Sequence, residues 1–245
     1  MNQPPPVGMF EERTGIVTAM AAEAQSWQRI LGPTGVRRRI QIECAGVGPQ
    51  AAARATHALL KLGVASLFSW GTAGGLDRAL APGSIVLYTS VVDSQSGIEY
   101  SCDAARTALL AAQLSALGGV LGRGLSVPAP IANIADKDVL HARFHCAALD
   151  MESAAIAAIA KQAGVPFTAL RVIVDPADFS LPSSALAGIG SALPPWLAVL
   201  LALGRRPWEL RALLTLAQSY RHALTRLGAA ADALNTNPPR AAGAR

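Results

Sequence analysis

The 245-residue chain has a net charge of +5, but its arginines are dispersed apart from Arg37, Arg38, Arg39 and the pair Arg205, Arg206. Aromatic residues are 5% of the chain, too few for a base-stacking platform, which argues against nucleic-acid binding. With 51% hydrophobic residues, 15% charged and a mean hydropathy of +0.34, the chain is more apolar than an ordinary enzyme, which points to an apolar partner.

In chain order, strand and helix signals alternate. The leading MNQPPPVGMFEER has no basic region followed by an apolar core, so no secretory signal is expected and the expected location is cytoplasmic. Residues 1–13 are expected to be disordered and 14–230 to form a single domain. TGIVTAM reads as a short strand, and Ala21 to Leu31 as a helix stopped by Gly32-Pro33. RIQIECAGVG reads as a strand breaking on Gly46 and Gly48, with Pro49 at the first position of a helix that ends at Gly63. SLFSWGTAGGL reads as a buried strand entering a glycine turn, and GSIVLYTSVVD as a strand entered through Pro82-Gly83.

Asp103 to Leu117 is predicted helical and GLSVPAPIANIA extended. CAALDMESAAIAAIAKQAG passes from strand to a helix closing at Gly164, and FTALRVIVD is the next strand. This alternation predicts a three-layer α/β/α fold around a central mixed sheet.

The run from Phe179 to Gly204 has no charged residue. Pro182, Pro194 and Pro195 interrupt it, and WLAVLLAL is shorter than the ~20 residues of a spanning helix, so a loop and short helix are expected. From Pro207, Leu210, Leu213, Leu214, Ala217, Tyr220, Leu224 and Leu227 recur at helical spacing opposite Arg211, Gln218, Arg221 and Arg226, predicting an amphipathic helix. Residues 231–245 are expected to be a disordered tail. Cys44, Cys102 and Cys146 fall in no metal-ligand or CxxC spacing and are read as buried small hydrophobes, so no metal site is expected.

Four segments at strand ends carry candidate chemistry: TAMAAE, SWGTAGG, LDMES and VDPAD. Singly, each has a plain structural reading, such as a first-turn helix acid for Glu23 or Glu152 and a turn starter for Asp175-Pro176. Together they place three acids and a run of backbone amides at the mouths of successive strands, where α/β folds bind ligands.

In GTAGG, DMES and RVIVDPAD, taken in that order, the sequence resembles the purine nucleoside phosphorylase and uridine phosphorylase superfamily, and within it the 5′-methylthioadenosine/S-adenosylhomocysteine nucleosidases. The resemblance covers about Thr14 to Asp178. A closer likeness is to the hopanoid-associated phosphorylases, because DPAD continues into the proline-containing LPSSALAGIG and an arginine-rich helical tail. The resemblance implies that Asp175 protonates or hydrogen-bonds N7 of a leaving purine. It implies that Glu152 binds the ribose 2′ and 3′ hydroxyls with Met151 against the sugar. Thr72, Ala73 and Gly74 would approach the anomeric carbon and the nucleophile, and Glu23 would orient and deprotonate water.

Physical chemistry asks the same of these residues. Breaking an N-glycosidic bond leaves positive charge on the sugar and negative charge on the base. Asp175 would need its pKa raised by burial against the apolar RVIV strand, whereas Glu152 would be kept ionised by the helix dipole.

The phosphorylase branch carries an arginine where this chain has Ser69, so phosphate as co-substrate would need Arg37, Arg38 or Arg39, from a loop or a neighbouring subunit. Val174 replaces a serine beside the catalytic aspartate, removing one orienting hydrogen bond. Hydrolysis is therefore expected slightly above phosphorolysis, with no other cofactor. The likeness implies adenosylhopane as substrate, peripheral contact with the inner membrane and a homo-oligomer, with purine-edge contacts near Ala135 to Asp138. Alternatives are a methylthioadenosine/adenosylhomocysteine nucleosidase and a nucleoside-binding regulatory module without turnover. A dinucleotide site is disfavoured because AGVGPQ lacks the third glycine of GxGxxG.

Overall fold

The structure, a computed structural model, describes residues 13–31, 39–187 and 201–236. Strands and helices alternate as β1 (Thr14–Thr18), α1 (Ala21–Leu31), β2 (Ile40–Cys44), α2 (Pro49–Lys61), β3 (Ser66–Gly75), β4 (Ile85–Asp93) and β5 (Glu99–Ser101). There follow α3 (Ala104–Leu114), β6 (Val120–Ser126), α4 (Ile134–Phe144), β7 (Ala148–Asp150), α5 (Ser153–Ala163), β8 (Phe167–Asp175), the short α6 (Ser183–Leu186) and α7 (Leu210–Thr236).

The strands form one eight-stranded mixed sheet. β3 pairs parallel with β8, β8 antiparallel with β4, β4 parallel with β6, β6 parallel with β7, and β7 returns antiparallel to β3. Five strands thus close on themselves, and β1 and β2 extend the sheet outward from the first half of β3.

Residue alternation on the strands assigns the two covering layers. On β8, Phe167, Ala169 and Ile173 pack with Ala52, Leu59, Ile156 and Ala160 of α2 and α5. Leu170, Val172 and Val174 face the other side and pack with Trp27 of α1, Leu110 of α3 and Leu227 of α7. This is the three-layer arrangement expected from the sequence.

Five sequence expectations are corrected. GTAGG is not a turn: it is the end of β3, laddered to β8 and β7 through Gly74 and Gly75, because both neighbours approach too closely for side chains. The IANIA segment does not stay extended, since α4 starts at Ile134 and buries Lys137 beside a cluster that includes Leu140 and Phe144. Helix α7 runs through Thr236, past the expected boundary at 230, because Ala231 and Leu234 are buried with Ala223, Leu227 and Ala230. Its first turns do not pack: Leu210, Leu214 and Ala217 are exposed. Cys44 is also exposed at the end of β2, whereas Cys102 and Cys146 are buried.

Candidate active site

Glu23, in the first turn of α1, has a carboxylate buried to 1% exposure. Its Oε2 accepts from Ala19 N at 3.1 Å and Met20 N at 3.0 Å, which turns the chain from β1 into the helix. Its Oε1 accepts from Thr72 N and Thr72 Oγ1, both at 2.8 Å. A carboxylate offers about four acceptor sites, so these four donors saturate the group. Gly71 makes this approach feasible, since a Cβ there would lie 2.9 Å from the Glu23 carboxyl atoms.

Glu152 precedes α5, and its Oε1 accepts from Gly48 N at 2.8 Å. Gly48 holds φ +101, a conformation that suits glycine, and so presents its amide to the acid. The expectation that a helix dipole keeps Glu152 ionised is corrected: burial, followed by the negative charge of Asp150, pushes its carboxyl up to about 7. Met151 lies beside it, half-buried, and lines a cavity of about 140 Å³ with Pro49, Tyr100, Ser126 and Ala154.

Beneath these groups lies a fully buried charge network. Arg171 Nε lies 3.0 Å from Asp150 Oδ2. One Nη of Arg171 donates to Ser69 Oγ at 2.7 Å and Ser153 Oγ at 2.8 Å, and the other donates to Leu170 O at 3.0 Å. Asp150 also accepts from Ser126 Oγ and Ser153 Oγ, and Arg171 helps to hold its carboxyl below the usual range.

Asp175 ends β8 in register with Gly74 and is 8% exposed. A Cβ on Gly74 would lie 3.1 Å from its Oδ2, so the glycine keeps the carboxyl open to the strand end. Burial raises its pKa, as expected, but the niche is not simply apolar: Lys137 Nζ donates to Oδ2 at 2.7 Å and opposes the rise. Val174 turns the other way, into the core, and gives Asp175 no hydrogen bond.

A profile of the phosphorylase superfamily matches residues 21–187, which contain Glu23, Thr72, Glu152 and Asp175. The chain belongs to the phosphorylase superfamily. The enzyme class read from the motifs, an N-ribosyl hydrolase or phosphorylase, stands with that membership.

Solved structures of the same fold include the futalosine hydrolase of Helicobacter pylori, at 18% identity and TM-score 0.69, covering 91% of this chain and 97% of that one. An S-adenosylhomocysteine nucleosidase from Streptococcus pyogenes, in complex with 5-methylthiotubericidin, is 20% identical with TM-score 0.70, covering 93% and 98%. A 5′-methylthioadenosine/S-adenosylhomocysteine nucleosidase from Neisseria meningitidis, in complex with methylthio-immucillin-A, is 16% identical with TM-score 0.70, covering 91% and 97%. A search of curated proteins gives no match.

In this superfamily member, the structure sets Glu23, Thr72, Gly74, Glu152 and Asp175 at neighbouring strand ends. Glu23 and Thr72 touch directly, Gly74 lies against Asp175, and antiparallel pairing of Gly74 with Leu149 directs Asp150, Met151 and Glu152 back along β3. Ala73 contributes backbone only, because its side chain is buried among the α2 and α5 residues.

Four participants have no role assigned from the motifs. Lys137 and Gly48 reach the two acids from remote loops and helices. Arg171 is the arginine that stands beside Ser69, from the neighbouring strand. Tyr220 of α7 places its hydroxyl 3.5 Å from Met20 Sδ, and burial together with the Glu23 charge raises its pKa to about 12. Of these, Arg171 had a signal as a cation in a strand of buried β-branched residues, and Lys137 falls within Ala135 to Asp138, the stretch expected to meet the purine edge. Arg39 lies at the amino end of β2, opposite the strand ends that form the site, while Arg37 and Arg38 lie outside the described residues.

Proposed function

We propose that the chain cleaves the N-glycosidic bond of a purine nucleoside, with water as nucleophile. The observation that carries this reading is the convergence of Glu23–Thr72, Glu152 and a buried Asp175 at the ends of β1, β3, β7 and β8. As the C1′–N9 bond breaks, its electron pair moves onto the purine, and Asp175 gives its proton to N7. Glu152, when ionised, accepts the ribose diol and holds negative charge near the oxocarbenium-like sugar, an interaction that strengthens as the bond breaks.

Glu23 takes the water's proton once the Thr72 hydroxyl, the rotatable one of its four donors, turns away. The same carboxylate would repel a phosphate dianion. Arg171, the cation beside Ser69, is already engaged by Asp150, Ser69, Ser153 and a carbonyl, which favours hydrolysis over phosphorolysis.

For the substrate we favour adenosylhopane, on the likeness of DPAD, the proline loop and the arginine-rich tail to hopanoid-associated phosphorylases. Exposed Leu201, Trp208, Leu210 and Leu214 beside Arg205, Arg206 and Arg211 suit a cytoplasmic protein that meets an anionic inner-membrane surface as a homo-oligomer. Residues 196–200 of the apolar run WLAVLLAL lie outside the described residues. A second reading, methylthioadenosine or adenosylhomocysteine hydrolysis, is favoured by solved structures carrying those names.

The test is adenine release from methylthioadenosine, adenosylhomocysteine and adenosylhopane, each with and without phosphate. Release from adenosylhopane at a rate indifferent to phosphate is expected. A phosphate requirement would remove the hydrolytic reading, and no release from any of the three would leave a binding module.

A further inference from the structure

Lys137 is a cation with no solvent exposure, on the first turns of a helix whose other charged residues, Asp136, Asp138 and Arg143, are exposed. Leaving an ammonium in such a place costs several kcal/mol unless every N–H finds an acceptor. All three do: Nζ donates to Asp175 Oδ2 at 2.7 Å, Pro176 O at 2.9 Å and Phe179 O at 3.1 Å. Three acceptors match the three N–H donors of a lysine ammonium.

The placement is selective. Oδ2 of Asp175 is occupied by the lysine, which leaves Oδ1 as the oxygen able to carry a proton. Val174 faces the core, so no neighbour on β8 does this orienting. The carbonyls of Pro176 and Phe179 tie the same nitrogen to the turn after the strand, fixing Asp175 from both sides.

We propose that Lys137 is a positioning residue for the general acid, holding Asp175 through Oδ2 and stabilising the carboxylate left when Oδ1 gives up its proton. This deepens the assignment of Asp175 as the acid and rests on it. In the step, the C1′–N9 bond breaks with its electron pair going to the purine ring, the Oδ1 proton moves to N7, and the new carboxylate remains paired with the unchanged Lys137 ammonium. The water nucleophile contributes hydroxide to C1′ and its proton to Glu23, so the charges balance over the cycle. The lysine thereby makes a buried aspartic acid a stronger acid at the moment of departure than burial alone would allow.

The charged surroundings of the pair are few. Lys137 acts directly on Asp175. Arg171 of β8 and Asp150 of β7 neutralise each other, Glu152 and Glu23 are the other carboxyls of the site, and Asp178, Asp136 and Asp138 are exposed. His141, one turn along α4, bonds to Cys146 O.

The experiment compares Lys137→Met with wild type in pH profiles of kcat and KM, using whichever purine nucleoside the enzyme turns over, and in parallel with 4-nitrophenyl β-ribofuranoside, whose leaving group needs no proton. A unit charge within hydrogen-bonding distance lowers an acid by about 1–3 pKa units. Its removal should therefore move the alkaline limb of the kcat profile upward by about that amount. It should also lower kcat on the purine nucleoside about 10- to 100-fold with little change in KM, while sparing the nitrophenyl riboside.

An unmoved alkaline limb, or equal loss on both substrates, overturns the proposal. Lys137→Gln, which keeps two N–H donors without the charge, carries the same test if the methionine variant does not fold. Asp175→Asn separates the two levels: if it retains activity, the acid assignment fails, whereas inactivity together with an unmoved limb in the lysine variant sinks only the lysine's role.

Discussion

Glu152 makes the affinity of the site for ribose depend on pH in a calculable way. Burial and the Asp150 charge push its carboxyl up to about 7, and only the ionised form can accept both hydroxyls of a diol. The ionised fraction is about 0.9 at pH 8 and about 0.1 at pH 6. The apparent Kd of a diol-bearing ligand should accordingly weaken about tenfold between those values, because it scales inversely with the competent fraction. Calorimetric titration with an adenine C-nucleoside, whose carbon–carbon link resists cleavage, measures this across pH 6–8. Its 2′,3′-dideoxy counterpart is the control and should show a flat profile. Parallel pH slopes for the two ligands would refute the assignment of Glu152 to the diol.

The same shift has a stability consequence of opposite sign to the usual acid. The folded-state pKa lies above the ordinary value of 4.5, so ionisation opposes folding; the penalty is absent below about 4.5, grows across the interval and is complete above about 7. Glu152→Gln should therefore raise Tm at pH 8 and leave it nearly unchanged at pH 4.5.

Arg171→Met leaves Asp150 buried without its cation and should cost about 3–5 kcal/mol of stability by denaturant unfolding, with Asp150→Asn in the same background restoring part of it. Gly71→Ala drives a methyl to 2.9 Å from the Glu23 carboxyl and should lower kcat while far-UV circular dichroism stays native. If Gly71→Ala matches wild type, Glu23 is not held where the reaction needs it. Trp208→Asp with Leu214→Asp, both exposed positions, should reduce sedimentation with vesicles containing anionic lipid and leave adenine release from soluble nucleosides unchanged. Undiminished vesicle binding would remove the membrane face.

Much of the frame was legible because local signals and tertiary demand agree. The bounds of α1 and β8 coincide with those read from sequence, since a helix capped by its own Glu23 and a wholly buried β-branched run need little outside help. Where the reading missed, the deciding partner was distant. GTAGG looked like a turn because glycine usually marks one, yet here Gly71 and Gly74 clear space for carboxyls and Gly75 for the chain leaving β8. Glu152 looked ionised from its helix position, but Asp150 two residues away and burial outweigh the dipole. Lys137 lies in ADKD, the stretch expected from the resemblance to meet the purine edge; only the fold reveals that its charge points inward to a carboxyl 38 residues away.

The five-strand closure sets how this scaffold can change. Asp175, Thr72 and Asp150 are held by ladders that circle back to their origin, so displacing one strand requires breaking pairings on both of its sides. The segments after β8 are spliced onto that hoop at a single exit. Changes in α6 or α7 therefore need not break any pairing of the hoop, and the strand ends that hold the candidate acids can stay in place while those helices vary.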